Sequence, residues 1–244
     1  MNARASATLV MALDFPAAAQ ALRVAGKVRG VVSWVKVGLE LFSAEGPRVV
    51  DALQDIGFAV FLDLKLYDIP HTVRGAVLAA ARLRAGMLTL HMAGGERMIR
   101  AAVEAAHGSP HRPLLFGVTV LTSMAPEEFF GARVQSAKAL ANIAKKLAVR
   151  ARDWGMDGVV CSGHEARAIR RATGLRCLTP GIRLAHAAQD DQRRVVSPAE
   201  AVRAGADYLV VGRPITAAPD PRRAAEEILR DMRGAHRKPS SHTV

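Results

Sequence analysis

The chain has 244 residues, of which 50% are hydrophobic, and this is enough apolar sequence for one large core in a single domain. Lys and Arg total 34 against 22 Asp and Glu, so the net charge of +12 favours anionic partners such as nucleic acid, an acidic membrane surface or a phosphorylated small molecule. Basic residues do not alternate with aromatic ones and no apolar run is long enough to span a membrane, so we expect neither a nucleic-acid nor a membrane partner.

Short β-rich apolar runs recur along the chain, with helical stretches between them. The predicted strands are 7–13, 33–38, 59–65, 87–92, 114–121, 158–162, 175–180 and 207–212. The predicted helices, rich in Ala, Arg and Leu, are 16–28, 43–56, 71–84, 95–107, 136–153, 164–173, 198–204 and 221–233. This alternation of strand and helix indicates parallel strands that are joined by helical crossovers.

Eight strand–helix units in a chain of this length predict an α/β fold, a (β/α)8 barrel. A doubly wound open sheet is the competing fold, but no GxGxxG motif follows the first predicted strand. Because no linker or change of composition divides the chain, we predict one catalytic domain over residues 1–233. The polar segment 234–244 is expected to be disordered.

Charged residues interrupt the third predicted strand, in the segment FLDLKLYDIPHT (61–72). Side chains two apart on a strand point to the same side, so Asp63 and Lys65 share one face while Leu62 and Leu64 point toward the covering helices. Active sites of barrels lie at the carboxyl ends of the strands, which places both charges at the barrel mouth. The alternative is a buried ion pair with a structural role only, which is costly and seldom retained for stability.

Three more charged residues fall near the same rim. Asp14 ends the first predicted strand, Lys36 lies in the second and Asp68 follows the third. Each has a structural alternative. Asp14 could cap the next helix, the Lys36 ammonium could extend to solvent, and Asp68 could be a turn or cap residue.

Two motifs that contain Gly and Arg follow the last two predicted strands, TPGIR (179–183) and VGRPIT (211–216). In this fold the loops after strands seven and eight often form a phosphate site. The glycines allow close approach of the backbone, and Arg183 and Arg213 supply forked donors for phosphate oxygens. Gln192 could reach the same anion through its amide. For either arginine, a solvated surface charge is the alternative.

The chain has two cysteines, Cys161 and Cys177, too few for a disulfide framework. They favour reduced thiols in a cytoplasmic protein. The sequence contains neither CxxC nor HExxH, so we expect no metal site.

In chain order these motifs resemble the orotidine 5′-phosphate decarboxylase family in its bacterial form. The matching segments span nearly the whole chain: ALDF, VKVGLELF, LDLKLYDIPHT, VTVLTS, TPGIR, DQRR and VGRPIT. The pattern Asp-x-Lys-x-x-Asp-Ile-Pro-x-Thr, which starts at Asp63, is highly specific. The resemblance implies a cytoplasmic lyase of de novo pyrimidine biosynthesis that needs no metal or organic cofactor. Its substrate would be orotidine 5′-phosphate and its products uridine 5′-phosphate and CO2.

The resemblance also implies roles for individual residues. The family's alternating charged network corresponds to Lys36, Asp63, Lys65 and Asp68, with Lys65 as the proton donor. Substrate-binding positions correspond to Asp14 for a ribose hydroxyl, Thr122 for the base, and Pro180, Arg183, Gln192, Gly212 and Arg213 for the phosphate and base. A segment that crosses a homodimer interface into the neighbouring site corresponds to Asp68, Ile69 and Thr72.

Some positions depart from common bacterial members of this family. Tyr67 and His71 stand where His and Asn are frequent, and the loop RLAHAAQDDQRR (183–194) lacks the glycines often found before DQ. These differences bear on loop mobility and closing rate rather than on the reaction.

Two other functions stay open at this point. A magnesium-dependent sugar-phosphate decarboxylase or aldolase of the same barrel group would share Asp-x-Lys-x-x-Asp but lack the DIPxT continuation. A basic nucleic-acid-binding protein with a decayed active site would explain the charge, but the intact set of four charged residues argues against it.

Overall fold

Eight parallel strands close into a barrel in which every strand pairs with its neighbours in sequence, and β1 pairs with β8. The computed structural model describes residues 7–128, 136–184 and 195–235. The strands are β1 Thr8–Leu13, β2 Trp34–Gly38, β3 Ala59–Leu66, β4 Met87–His91, β5 Leu114–Val118, β6 Gly158–Val160, β7 Arg176–Thr179 and β8 Tyr208–Val211. The closed order confirms the predicted (β/α)8 barrel and excludes the doubly wound sheet.

Helices cover the outside of this barrel. In the described part of the chain they are α1 Ala18–Lys27, α2 Leu39–Glu45, α3 Arg48–Asp55, α4 Pro70–Arg82, α5 Gly95–His107, α6 Ala137–Asp153, α7 Gly163–Thr173, α8 Pro198–Ala204, α9 Arg213–Thr216 and α10 Pro221–Gly234. Two short 3-10 helices lie at Met92–Gly94 and Pro126–Glu128.

The single helix predicted over 43–56 is wrong, because the structure has two helices there. The chain breaks at Gly46, whose φ of 64° lies in the left-handed region, and Pro47 follows it. Glycine tolerates this φ without steric cost, so the sequence marks the end of α2 at this position. The short helix α9 was not predicted.

The fifth predicted strand, 114–121, is too long, since β5 ends at Val118. The chain then leaves the sheet, and Val120, Leu121 and Thr122 line the barrel mouth. An apolar run that lines a cavity cannot be distinguished by composition from one that continues a strand.

The strands bury both faces. In β1, Val10 and Ala12 belong to the core inside the barrel, whereas Leu9, Met11 and Leu13 belong to the core between the barrel and the helices. This alternation explains why the strands read as nearly continuous apolar runs.

The same alternation holds in the third strand. Phe61 is inside the barrel. Leu62 is in the outer core and Leu64 packs against it, so both point toward the helices as predicted.

The C-terminal helix extends slightly beyond the predicted domain end. Gly234 is the last residue of α10 and Ala235 is buried, so the first two residues of the predicted tail pack with the barrel. The rest of that segment, 236–244, lies outside the described residues. Among the described helices, none is long and apolar enough to cross a membrane.

Candidate active site

A cavity of about 520 Å³ opens at the carboxyl ends of the strands. Its floor is formed by apolar side chains that point into the barrel, including those of Ala12, Phe61, Val160, Leu178 and Val210. Nine of the predicted site residues line it: Asp14, Lys36, Asp63, Lys65, Thr122, Pro180, Arg183, Gly212 and Arg213. The sequence argument that two carboxylates and two ammoniums converge on one rim is therefore correct for Asp14, Lys36, Asp63 and Lys65.

Four of these residues form an array of alternating charge. Lys36 Nζ lies 2.7 Å from Asp14 Oδ1 and 3.7 Å from Asp63 Oδ2, and Lys65 Nζ lies 2.9 Å from Asp63 Oδ1. The order is therefore carboxylate, ammonium, carboxylate, ammonium, and the array itself has no net charge. Its groups are fixed by one another before any ligand binds, as a preorganised electrostatic site requires.

Two structural alternatives from the sequence are wrong. Lys36 is only 8% exposed, so its ammonium does not extend to solvent. Asp14 does not cap α1, because Ala17 is the N-cap residue and no side chain caps that helix end. Asp14 instead accepts a hydrogen bond from Lys36 Nζ.

The strand β3 is not regular where it carries Lys65. The register with β4 shifts between Leu62 and Leu66, and Lys65 has a φ of 47°, in the left-handed region. This backbone conformation costs a residue with a side chain roughly 1–2 kcal/mol. Asp63 and Lys65 still meet on one side, as predicted, but an irregular strand brings them together. Backbone strain held by surrounding contacts is typical of functional sites.

Thr89 on β4 contacts both of these residues and was not predicted. Its hydroxyl accepts a hydrogen bond from the Lys65 backbone N–H at 2.9 Å and donates one to Asp63 Oδ1 at 3.0 Å. It is fully buried. A polar residue inside the apolar strand MLTLH is the signal that could have identified it.

Gly38, at the end of β2, is a second residue that sequence reasoning missed. A Cβ atom at this position would lie 2.9 Å from Lys36 Nζ and 3.1 Å from Asp14 Oδ1. The absence of a side chain therefore leaves room for the ion pair between Lys36 and Asp14. The signal was the glycine that ends the strand WVKVG.

The loops after β7 and β8 form another part of the cavity wall. Gly181 has a φ of 76°, and the loop after it is tied down because the Arg183 N–H donates to Val196 O and the Val196 N–H donates to Gly181 O. Gly212 follows β8, and Arg213 begins α9. Two guanidinium groups thus line one cavity at the position where barrels of this kind often bind phosphate.

Asp68, Ile69 and Thr72 are exposed and are not among the described residues that line the cavity. Asp68 Oδ1 accepts a hydrogen bond from the neighbouring Ile69 N–H at 2.6 Å. Tyr67 and Ile69 are each 65% exposed, which is unusual for large apolar residues. Gln192 lies outside the described residues.

His91 ends β4 beside the charged array and was not predicted as a site residue. Its ring lies 5.8 Å from that of Tyr67, and its Nδ1 accepts a hydrogen bond from the Ala93 N–H. Burial, and next the positive charge of Lys65, lower the pKa of His91. The side chain is therefore neutral at neutral pH.

The cysteines lie away from the cavity. Cys161 and Cys177 are buried free thiols in the outer core. A hydrogen bond with Cys177 and burial raise the pKa of the Cys161 thiol, which keeps it protonated and unreactive at neutral pH. Within the described ranges no group of three or more His, Cys, Asp or Glu side chains is arranged to hold a metal ion.

Known proteins resemble this chain over nearly its full length. The family model described as "Orotidine 5'-phosphate decarboxylase / HUMPS family" matches residues 7–228. An orotidine 5′-phosphate decarboxylase of Nitratidesulfovibrio vulgaris is 54% identical over 95% of this chain and 100% of its own. That of Lawsonia intracellularis is 48% identical over 91% and 98%.

A solved structure agrees with these sequence matches. The crystal structure of orotidine 5′-phosphate decarboxylase from Lactobacillus acidophilus superposes with a TM-score of 0.80 at 34% identity, and covers 93% of this chain and 99% of that one. On the family match, the sequence identities and the shared barrel, the chain belongs to the orotidine 5′-phosphate decarboxylase family.

Proposed function

We propose that the protein converts orotidine 5′-phosphate into uridine 5′-phosphate and CO2, with no metal or organic cofactor and with Lys65 as the proton donor. The observation that carries this proposal is the array from Asp14 to Lys65, which shares one cavity with Arg183 and Arg213. A phosphorylated nucleoside with a reactive carboxylate needs both kinds of site at once. Family membership supports the same assignment.

The cavity lining supports one orientation of the substrate. The phosphate lies by Arg183, Arg213 and the backbone of Gly212, where guanidinium forks match phosphate oxygens. The base contacts Thr122 and Pro180. The family resemblance assigns Gln192 to the phosphate and base as well. Asp14, the more exposed carboxylate of the array, accepts a hydrogen bond from a ribose hydroxyl. The carboxylate on the ring then lies next to Asp63 and Lys65.

The reaction breaks the bond between the ring carbon and the carboxylate carbon. CO2 leaves without the bonding electron pair, which remains on the ring carbon as a developing carbanion. The Lys65 ammonium faces this charge and donates a proton from Nζ to the same carbon, which leaves a neutral amine. The step is balanced, because the product gains the proton that Lys65 loses.

Magnitudes indicate which electrostatic effect dominates. Two unit charges about 4 Å apart interact by about 4 kcal/mol at an effective dielectric constant of about 20. Repulsion between the substrate carboxylate and Asp63 therefore supplies about 10³ in rate at most, which is small beside what enzymes achieve on slow reactions. Stabilisation of the developing charge by Lys65 is the larger effect, and Asp63 mainly holds the ammonium in place.

The proposed enzyme is a cytoplasmic homodimer of the pyrimidine pathway, in which Asp68, Ile69 and Thr72 enter the neighbouring subunit's site. Exposure of Tyr67 and Ile69 next to the barrel mouth supports this arrangement, since large exposed apolar side chains at one edge are typical of interfaces. Asp68 would then complete the charged network from the second subunit.

The test is turnover of orotidine 5′-phosphate in excess EDTA, followed by ultraviolet absorbance. Wild type, Lys65→Ala and Lys145→Ala are compared; Lys145 is an exposed lysine of α6 that does not line the cavity, so its removal is a matched loss of charge. We expect activity in wild type and Lys145→Ala, and loss of activity in Lys65→Ala. Activity that requires added Mg²⁺, or that acts only on sugar phosphates, would contradict the assignment.

A further inference from the structure

A buried threonine closes a hydrogen-bonded ring behind the charged array. The Lys65 backbone N–H donates to Thr89 Oγ1, the Thr89 hydroxyl donates to Asp63 Oδ1, and the same carboxylate oxygen lies 2.9 Å from Lys65 Nζ. The ring thus starts at the backbone of Lys65 and ends at its ammonium. Thr89 is the only member of this ring that carries no charge.

The chemistry of a hydroxyl suits this position. A hydroxyl can accept one hydrogen bond and donate another at the same time, whereas an ammonium only donates and a carboxylate only accepts. Thr89 needs both functions, because the Lys65 amide is a donor and the Asp63 oxygen is an acceptor. Its full burial keeps water from replacing either contact.

The backbone at Lys65 needs such support. Lys65 has a left-handed φ of 47° in the interval where the register between β3 and β4 shifts. This conformation is unfavourable for lysine, and surrounding contacts must offset its cost. The hydrogen bond from its N–H to Thr89 is one such contact, and it fixes the Cα position from which the ammonium reaches Asp63.

We propose that Thr89 is a positioning residue for the proposed decarboxylation: its hydroxyl holds the Lys65 backbone and the Asp63 carboxylate together, so that the ammonium is aimed into the cavity. This inference rests on the proposed function. Thr89 does not line the cavity described above and acts through Lys65 and Asp63, not through the substrate. Its loss should therefore lower kcat more than it changes KM.

The variants that test this are Thr89→Val, which keeps the branched shape but removes the hydroxyl, and Thr89→Ser, which keeps the hydroxyl. Thr119→Val is the matched control: Thr119 is also buried in the barrel wall, and its hydroxyl donates to the Val160 carbonyl instead of to a charged group. If Thr89→Val does not fold, Thr89→Ala serves as the second variant without a hydroxyl.

We expect Thr89→Val to lower kcat by about 10- to 100-fold, the range for a lost hydrogen bond to a charged group. KM should stay within about threefold of wild type, because the residues proposed to bind the phosphate are unchanged. Thr89→Ser and Thr119→Val should both keep kcat within about threefold of wild type. Wild-type kcat in Thr89→Val, or an equal loss in Thr89→Ser, would overturn the proposal.

A second measurement separates this inference from the proposed function. Hydrogen exchange of the Lys65 amide, followed by NMR, should be slow in wild type and Thr89→Ser and faster in Thr89→Val. If the wild-type protein does not act on orotidine 5′-phosphate, the proposed function is contradicted, and so is a positioning role of Thr89 in that reaction. Unchanged exchange in Thr89→Val would overturn the structural part of the proposal whatever the activity.

Discussion

The Lys65 ammonium lies 2.9 Å from the Asp63 carboxylate, and both groups line the same cavity at the barrel mouth. The pair is partly exposed, since the side chains are 32% and 15% accessible. An ion pair with this exposure adds little to stability, so its position at the mouth favours a role in chemistry.

The loss of kcat in two alanine variants tests whether charge stabilisation by Lys65 or carboxylate repulsion by Asp63 contributes more to the rate. We expect Lys65→Ala to lose more kcat than Asp63→Ala, because in the proposed mechanism the ammonium both stabilises the developing charge and supplies the proton. Both are measured at saturating orotidine 5′-phosphate, with Lys145→Ala as the control for loss of a lysine. A larger loss in Asp63→Ala would mean that repulsion of the substrate carboxylate is the leading effect.

Arg213 is predicted to matter although the proposed orientation of the substrate places it at the phosphate, away from the reacting carbon. Phosphate binding can hold loops closed and orient the base, so Arg213→Ala should lower kcat/KM by several decades. The control is Arg171→Ala, which removes an exposed arginine of α7 and should have no effect.

The same variant can be tested on a truncated substrate. With orotidine, which lacks the phosphate, wild type and Arg213→Ala should be equally slow. If kcat/KM of Arg213→Ala on the phosphorylated substrate stays within about twofold of wild type, Arg213 does not bind the phosphate.

The barrel could be predicted from the sequence because parallel strands buried on both faces leave eight apolar runs at regular intervals. The charges of Asp63 and Lys65 were recognisable for a related reason, since ionised groups within such a run are costly to bury and are seldom retained for stability alone. The ends of strands are harder to predict, as β5 shows, because an apolar residue after a strand can either continue the strand or line a cavity.

Other features depend on contacts between distant segments. The left-handed φ of Lys65 and its hydrogen bond to Thr89 join β3 to β4, and no local pattern encodes them. The space that Gly38 leaves for the Lys36 ammonium is likewise visible only in the three-dimensional structure.

Gly38→Ala is predicted to impair activity with little loss of stability. Its φ of −93° is open to alanine, but the new Cβ would meet Lys36 Nζ and Asp14 Oδ1. Because the lysine end is flexible, the expected response is displacement of the ammonium from Asp14, not unfolding. We expect kcat/KM to fall about tenfold or more, the effect of losing a charged hydrogen bond in the site.

Gly26→Ala in α1 is the matched control for this substitution. An added Cβ at Gly26 meets nothing within 4 Å, so alanine should stabilise the helix by roughly 0.5–1 kcal/mol and leave activity unchanged. Thermal unfolding and steady-state kinetics of both variants give the comparison. Wild-type kcat/KM in Gly38→Ala would show that the pair tolerates the added methyl group.

Mixing two inactive variants tests whether Asp68 acts in the neighbouring subunit. In a mixed dimer of Lys65→Ala and Asp68→Ala chains, one site has both residues altered and the other has both intact. Random reassortment makes about half of the dimers mixed, so activity should recover to about a quarter of wild type. No recovery after subunit exchange, verified by native mass spectrometry, would contradict a shared site.

The titration of His91 reports on the charge of Lys65. Because burial and the Lys65 ammonium lower its pKa, Lys65→Ala should raise the pKa of His91, and Lys145→Ala should not. The same shift affects stability. Below the usual histidine pKa of about 6.5 the unfolded chain binds a proton that the folded chain does not, so stability falls as pH drops from there to the folded-state pKa.

The decrease in the free energy of unfolding as the pH is lowered below about 6.5 should therefore be smaller in Lys65→Ala than in wild type. Proton NMR of the imidazole, combined with urea unfolding at several pH values, measures both quantities. A His91 pKa that does not change when Lys65 is removed would mean that burial alone sets it. The ammonium would then have to point away from the end of β4.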